Sequence, residues 1–461
     1  MFNEKANQFS SFTLAAADAG VRSTVYPNLP PGVLVPGDHG VRSTVVPSYY
    51  HIFDPRIGLA WDVFGNGKTS VRAGFGIYHD MINVNSNNDT ISAPPWALSV
   101  DIPFPVSLES PYQGHNVPFP AFPPFQHDQT FAFPYFGNEF DPTMKYPVLM
   151  QRNLAIEHQL PKGLLARVAY EGMNSYHLFG GVEQNAGVYH PGVSTFENVQ
   201  QSRPMGQYFT SNSINTATGT ANYNALALTV EKRVTRGLTF LGGFRWAKMI
   251  DELNGAGTSM GQGDYTTPNP KFDYGLSSVD VNRQFIGSFV WELPTFDSLG
   301  FFGRNVIGGW RSSGILTLRA GFPYSILSGL DYSYSGIGAD RADLIGNPNL
   351  PGGRSTAAKL QEWFNTAAFT FNAPGTYGDS GRDILRGPGL ATLDFSLTKS
   401  FPLKFGHFGE TQRIDFRAEA FNMFNHPNFG KPDNTITDPT FGQVLSAGSS
   451  RIMQLALKFA F

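Results

Sequence analysis

Apolar residues in this chain recur at every second position, in runs that come in pairs. Ile57, Leu59, Trp61 and Val63 fall on one side of an extended chain opposite Arg56 and Asp62, and Val71, Ala73, Phe75 and Ile77 fall opposite Arg72. The Asn66-Gly67 dipeptide between the runs favours a tight hairpin turn. The chain closes the same way: Met453, Leu455, Leu457, Phe459 and Phe461 share one face and Gln454, Ala456, Lys458 and Ala460 the other. Wound as a helix, Leu455, Leu457 and Phe459 would scatter around the circumference, so a period of two means strand. A final strand that alternates and ends on Phe suits the last strand of an outer-membrane β-barrel, and equally the edge strand of a soluble sandwich.

Loop lengths separate those alternatives. Further pairs run from Asn153 through Pro161-Lys162-Gly163 to Tyr170, from Ala225 through Thr235-Arg236-Gly237 to Trp246, from Phe285 to Arg319, and from Thr392 to Glu419. About eleven strands are expected, each near the 9–11 residues that cross a bilayer obliquely. Short turns alternate with long segments near 80–147, 173–221, 251–280, 321–390 and 425–449. With the carboxyl terminus on the periplasmic side, every long segment lies outside, as in outer-membrane barrels. A soluble sandwich has no reason to sort its loops in this way. Residues 1–52, rich in Pro and Gly with no sustained period, read as a loop on the extracellular side, and 53–461 as the barrel portion. Trp61, Trp246, Trp291 and Trp310 near strand ends suit an interfacial girdle or, alternatively, ordinary packing.

Composition agrees with an all-β, antiparallel transmembrane barrel. Only 15% of residues are charged, against roughly 25% in soluble domains, while 14% are aromatic and there are 50 Gly and 33 Pro. The net charge of -3 gives no basic footprint, so nucleic acid is not an expected partner. The absence of cysteine excludes disulfides, thiolate metal sites and cysteine nucleophiles. No apolar window is long enough for a spanning helix. Met1 to Asn7 has neither a basic n-region nor an apolar h-region, so a barrel reading carries the expectation that this sequence is a fragment whose signal and upstream parts are missing.

Several runs are more specific than strand patterning. Asp62 to Tyr78, Asn222 to Leu226, Gly237 to Phe240 leading to Arg245 to Asp251, Gly308-Gly309-Trp310 through Gly321-Phe322-Pro323, Leu385 to Gly389, and Glu419 to Gly430 resemble the Oar-like branch of TonB-dependent outer-membrane receptors. The resemblance covers nearly the whole chain from about residue 26. It implies the C-terminal half of a barrel of about 22 strands, preceded in the family by a carboxypeptidase-regulatory-like domain, a TonB-contacting segment and a plug. It further implies uptake of an unidentified ligand, with outer-membrane lipid and the barrel assembly machinery as partners and the TonB system reached only through the missing upstream parts. The other function considered is a surface adhesion or structural protein whose outer loops bind polymer or neighbouring cells. In either case Leu455, Leu457, Phe459 and Phe461 are the expected assembly signal, because the terminal strand is the one that closes a barrel.

Chemistry-bearing motifs are weak by comparison. Gly257-Thr258-Ser259-Met260-Gly261 has the nucleophile-elbow spacing but lies among loop residues without the strand and helix that the motif needs. Gly67-Lys68-Thr69 lacks the earlier glycine of a phosphate-binding loop, since position 62 is Asp. Asp331, Asp340, Asp343 and Asp383 share one long segment, which allows Ca²⁺ binding, but without EF-hand spacing they read chiefly as solvated loop carboxylates. His79, His115, His127 and His426 lie in expected loops and are not at zinc-ligand spacing. Charges such as Arg72, Glu157, Arg167, Arg245, Arg319 and Arg417 share the polar face of their strands, as a water-filled or plugged lumen requires. Neither an enzyme nor a cofactor or metal site is expected.

Overall fold

Among the described residues, eleven long strands follow one another in a single antiparallel meander, each paired with its neighbours in chain order. They are β1 (Arg56–Asp62), β2 (Thr69–His79), β3 (Val148–Leu160), β4 (Leu164–Glu183), β5 (Phe209–Thr235) and β6 (Leu238–Asp251), then β7 (Arg283–Glu292), β8 (Arg311–Arg319), β9 (Leu390–Leu403), β10 (Gln412–Phe421) and β11 (Ile452–Ala460). The computed structural model describes residues 7–44, 52–80, 94–97, 107, 109–110, 113, 125–235, 237–253, 263–296, 298, 300–338, 340–403 and 412–460.

Directly opposed residues of an antiparallel pair share a face, so each face can be followed across the sheet. Trp61 opposes Val71, then come Ile156, Val168, Leu228, Phe244, Phe285 and Leu318 in successive strands. At the far end Phe416 opposes Leu457 and Ile414 opposes Phe459. Among the described residues nothing covers this apolar face: Leu59 is 58% exposed, Val168 47% and Leu457 74%. Trp61, Trp246 and Trp291 stand on it and are exposed too, so ordinary core packing does not account for them.

The opposite face is charged and laced by ion pairs. Glu157 on β3 lies 3.4 Å from Arg167 on β4 and 3.8 Å from Arg72 on β2, and Glu171 on β4 lies 3.2 Å from Arg245 on β6. On β10, Arg413 pairs with Asp415 and Arg417 with Glu419. Small residues such as Ala155, Ala169 and Ala247 between these charges are buried beneath the long side chains. A sheet with a bare apolar face and a polar face inverts the arrangement of a soluble protein and matches a wall between lipid and a polar lumen.

Because the strands alternate in direction, the strand ends joined by 63–68, 161–163, 236–237, 293–310 and 404–411 collect at one end, and those joined by 80–147, 184–208, 252–282, 320–389 and 422–451 at the other. The long end holds the buried apolar clusters. Phe12, Tyr26, Leu29, Trp96, Phe125 and Phe209 form one, and Tyr324, Ile326, Phe364, Phe369 and Leu385 form another.

Two expectations need correcting. The long segment expected over 173–221 is largely strand, since β4 and β5 stay paired out to Glu183 and Ser213 through bulges around Ser175, Leu178 and Gly180. The strands accordingly span 7 to 27 residues rather than a uniform crossing length. Within the expected loop at 1–52, Ser11–Phe12 pairs with Val33–Leu34 around the helix Leu14–Asp18. Phe12 packs against Phe209 and Phe9 against Phe140. Single aromatics that bury against distant segments leave no local period to read.

Candidate functional site

The terminal strand comes first because the sequence singles it out. Leu455, Leu457 and Phe459 of β11 are 70%, 74% and 53% exposed on the apolar face; Phe461 lies outside the described residues. β11 pairs only with β10 and β1 only with β2, so each presents one row of backbone N–H and C=O groups without a strand partner among the described residues.

At the long-connection end three arginines of 320–389 grip carboxylates of 251–280. Arg382, 4% exposed, donates to the carbonyls of Asp251, Leu253 and Asp273 at 2.8–2.9 Å and to the Asp251 carboxylate. Arg341 donates to Asp273 Oδ1 at 2.7 Å and to the Phe272 carbonyl at 3.0 Å, with its guanidinium 4.1 Å from the Phe272 ring. Arg386 reaches the Asp280 carboxylate and the Gly321 carbonyl. Burial lowers the pKa of Arg341 from the usual guanidinium range, while neighbouring Asp273 supports the charge. Such pairs are costly to break once buried, because either partner alone is a desolvated charge.

Above this clamp lies an open cavity of about 590 Å³ between 252–282, 320–389 and 422–451. Its apolar lining includes Val279, Phe322, Leu327, Pro388 and Phe429, and its charged lining Arg319, Arg341, Arg382, Asp383 and Lys431. Gly321 and Gly389 let the backbones cross here: a Cβ on Gly321 would stand 1.8 Å from the Gly387 carbonyl, and one on Gly389 2.5 Å from that of Arg319. Arg319 ends β8 with its guanidinium 4.1 Å from the Phe322 ring and has no carboxylate partner among the described residues. Tyr324 Oη, Asp383 Oδ2 and the Nε atoms of Arg319, Arg341 and Arg382 are buried without hydrogen-bond partners. Burial raises the pKa of the Tyr324 hydroxyl and of the Asp383 carboxyl, Arg382 opposing the latter shift.

The runs 321–323, 385–389 and 419–430 read from the sequence as marks of strands and turns; in the structure Phe322, Pro323, Gly387, Pro388, Phe429 and Gly430 from them line this cavity. Their Gly and Pro content was legible, but which segments they approach was not. The four aspartates of the long segment are not gathered. Asp331 caps Ser335 and Gly336, Asp340 takes Asn372 and Ser333, Asp343 takes Asp379 N–H, and Asp383 accepts from Ser325. Asp340 and Asp383 are buried, which corrects the expectation of solvated carboxylates. Among the described residues no cluster of three His, Asp or Glu is arranged to hold a metal. His79 ends β2 rather than lying in a loop, with Nδ1 2.6 Å from Asp54. His115 and the run Gly257 to Gly261 lie outside the described residues.

The sequence model of the outer membrane beta barrel domain matches residues 1–454. The chain belongs to that family. It is therefore an outer-membrane protein, and the lipid bilayer is what covers its apolar face. No curated protein matches the sequence. Among solved structures it is similar to the outer membrane transporter YddB from Escherichia coli, at 12% identity and a TM-score of 0.47, covering 88% of this chain and 40% of that one. It is also similar to the ferric-catecholate import receptor Fiu from E. coli K12, at 10% identity, a TM-score of 0.36 and coverage of 88% and 34%. The iron transporter FrpB from Neisseria meningitidis gives 10% identity, a TM-score of 0.37 and coverage of 88% and 38%. The chain thus spans about two fifths or less of the length of these structures.

Proposed function

We propose that this chain is the C-terminal half of the wall of a TonB-dependent receptor of the Oar-like branch, and that the complete receptor takes up a ligand bound at its outer loops. The open meander carries the reading. In hydrocarbon each backbone group left unpaired costs several kcal/mol, and the free edges of β1 and β11 leave two such rows. A continuation of the same wall satisfies both rows at once. The mixed charges of the inner face then meet a plug or lumen water, and the long connections form the outer vestibule.

In this reading the terminal strand, through Leu455, Leu457, Phe459 and Phe461, presents the assembly signal to the barrel assembly machinery. The TonB system acts through segments upstream of residue 1, and the work done is transport rather than catalysis. The test is to read the DNA upstream of the Met1 codon and express the chain with and without what it encodes. A signal peptide, plug and further strands, together with outer-membrane insertion only of the joined protein, support the reading. A heat-modifiable, protease-resistant monomer formed by the 461 residues alone would show instead that this chain closes a smaller barrel of its own.

A further inference from the structure

We infer that the cavity at the long-connection end is a binding site for a small amphipathic monocarboxylate. The inference rests on the reading of these connections as the ligand-facing side of a receptor. Four cationic side chains line the cavity, and two of them are already spent on the clamp, Arg341 on Asp273 and Arg382 on Asp251. Arg319 is not: it has no carboxylate partner among the described residues, and its flat guanidinium lies against the Phe322 ring, a geometry that leaves its edge available to a planar acceptor. Lys431 adds a second positive charge, held by Asn434 Oδ1 at 2.8 Å. A half-buried guanidinium without a counter-ion is matched best by a carboxylate, which takes two parallel N–H donors.

The remainder of the wall sets the other properties of the ligand. Val279, Phe322, Leu327, Pro388 and Phe429 offer a surface for an alkyl or aryl body, and about 590 Å³ is the size of an ordinary small-molecule pocket. Asp383 also lines the cavity, with Oδ2 3.7 Å from Arg382 Nε and without a hydrogen bond. That carboxylate repels a second negative charge, so the site favours a monoanion over a phosphate or phosphonate dianion. Tyr324 Oη and Arg319 Nε are buried in the same wall without hydrogen bonds, and a ligand acceptor that reached either would satisfy a buried donor.

The test uses the chain joined to its upstream half, purified in detergent, and N-acetylphenylalanine as the probe, with its carboxamide and benzylphosphonate as comparisons. Titration calorimetry should show the carboxylate binding roughly tenfold or more tighter than the carboxamide, the size of one charge-assisted pair, and no weaker than the dianion. Arg319→Gln should remove the carboxylate's advantage, Arg319→Lys should keep part of it, and Arg311→Gln, at the opposite end of the same strand, should leave it intact. Raising NaCl from 50 to 500 mM should weaken carboxylate binding to the unaltered chain, a readout that does not depend on any variant folding. Equal affinity for acid and amide, salt-independent binding, or full binding by Arg319→Gln would each overturn the site. Failure of the receptor reading would appear elsewhere, as no uptake by cells carrying the joined protein, whatever the purified chain binds.

Discussion

Raising the pH should loosen the segment around Glu139, and Glu139→Gln should abolish the effect. Glu139 is 1% exposed, and burial pushes its carboxyl up from 4.5 to about 7. Its own backbone N–H and the Tyr135 hydroxyl, which donates to Oε1 at 3.2 Å, oppose the shift, and the nearby Glu183 carboxylate adds to it. Arg203 stands 3.9 Å from Glu183. Glu139 Oε2 and both side-chain atoms of Asn212 are unpartnered. The two residues flank one small space, since a Cβ on Gly137 would lie 2.3 Å from Asn212 Oδ1 and 2.9 Å from Glu139 Oε2. A protonated Glu139 can donate to Asn212 Oδ1, whereas an ionised one is a buried charge beside the Glu183 carboxylate.

The folded value is raised above the unfolded one, so this contribution is fully present below pH 4.5 and is lost as pH rises through about 7. The whole difference is about 3 kcal/mol, or a few hundredfold in a local opening constant. Hydrogen exchange reads it at Tyr135, whose N–H bonds Tyr208 O at 3.0 Å, and at Asn215, whose N–H bonds Glu139 O at 2.9 Å. Protection corrected for intrinsic exchange should fall between pH 5.5 and 8.5 in the native chain and stay level in Glu139→Gln, whose amide reproduces the neutral acid. Protection that does not change with pH in the native chain, or that changes equally in the variant, would refute the reasoning.

Three other outcomes are expected. Arg382→Met strands the Asp251 carboxylate and three carbonyls and should cost about 3–5 kcal/mol, seen as faster proteolysis within 320–389 and a lower urea midpoint. Leu457→Arg places a charge on the lipid face and should cost about 2–4 kcal/mol if β11 crosses near the bilayer midplane; refolding into vesicles measures it against Lys458→Leu on the inner face, which should change little. Removing Phe461 from the protein joined to its upstream half should lower its level in outer membranes, on immunoblots, without changing affinity in the molecules that insert.

What the sequence showed and what it hid divide along the length scale of the interactions. Period two is a local property, so the faces of β1, β2, β10 and β11 could be read directly, and the side assigned to Leu59, Phe244, Arg72 or Arg417 is the side the register gives. The outward reach of β4 and β5 could not, because Ser175 to Glu183 and Ser213 to Ala221 mix polar and apolar residues without a sustained period and stay paired only through bulges. The cavity was hidden for the same reason. Arg319, Arg341 and Arg382 lie far apart in sequence, and Arg319 read as one more charge of the inner face. Only the folded connections bring it beside Phe322 and Lys431 without a counter-ion.

The central claim is that one face of this sheet meets lipid and the other meets water. The chain has no cysteine, so single cysteines placed along β6 and β10 in outer membranes can be labelled one at a time. At Phe240, Phe244, Phe416 and Ala418 a fluorescent label should be quenched by a lipid-chain quencher and slow to react with a charged thiol reagent. At Arg245, Asp415, Arg417 and Glu419 it should show the reverse, alternating residue by residue. Labels that are equally water-accessible on both faces, or that follow no period of two, would contradict the account.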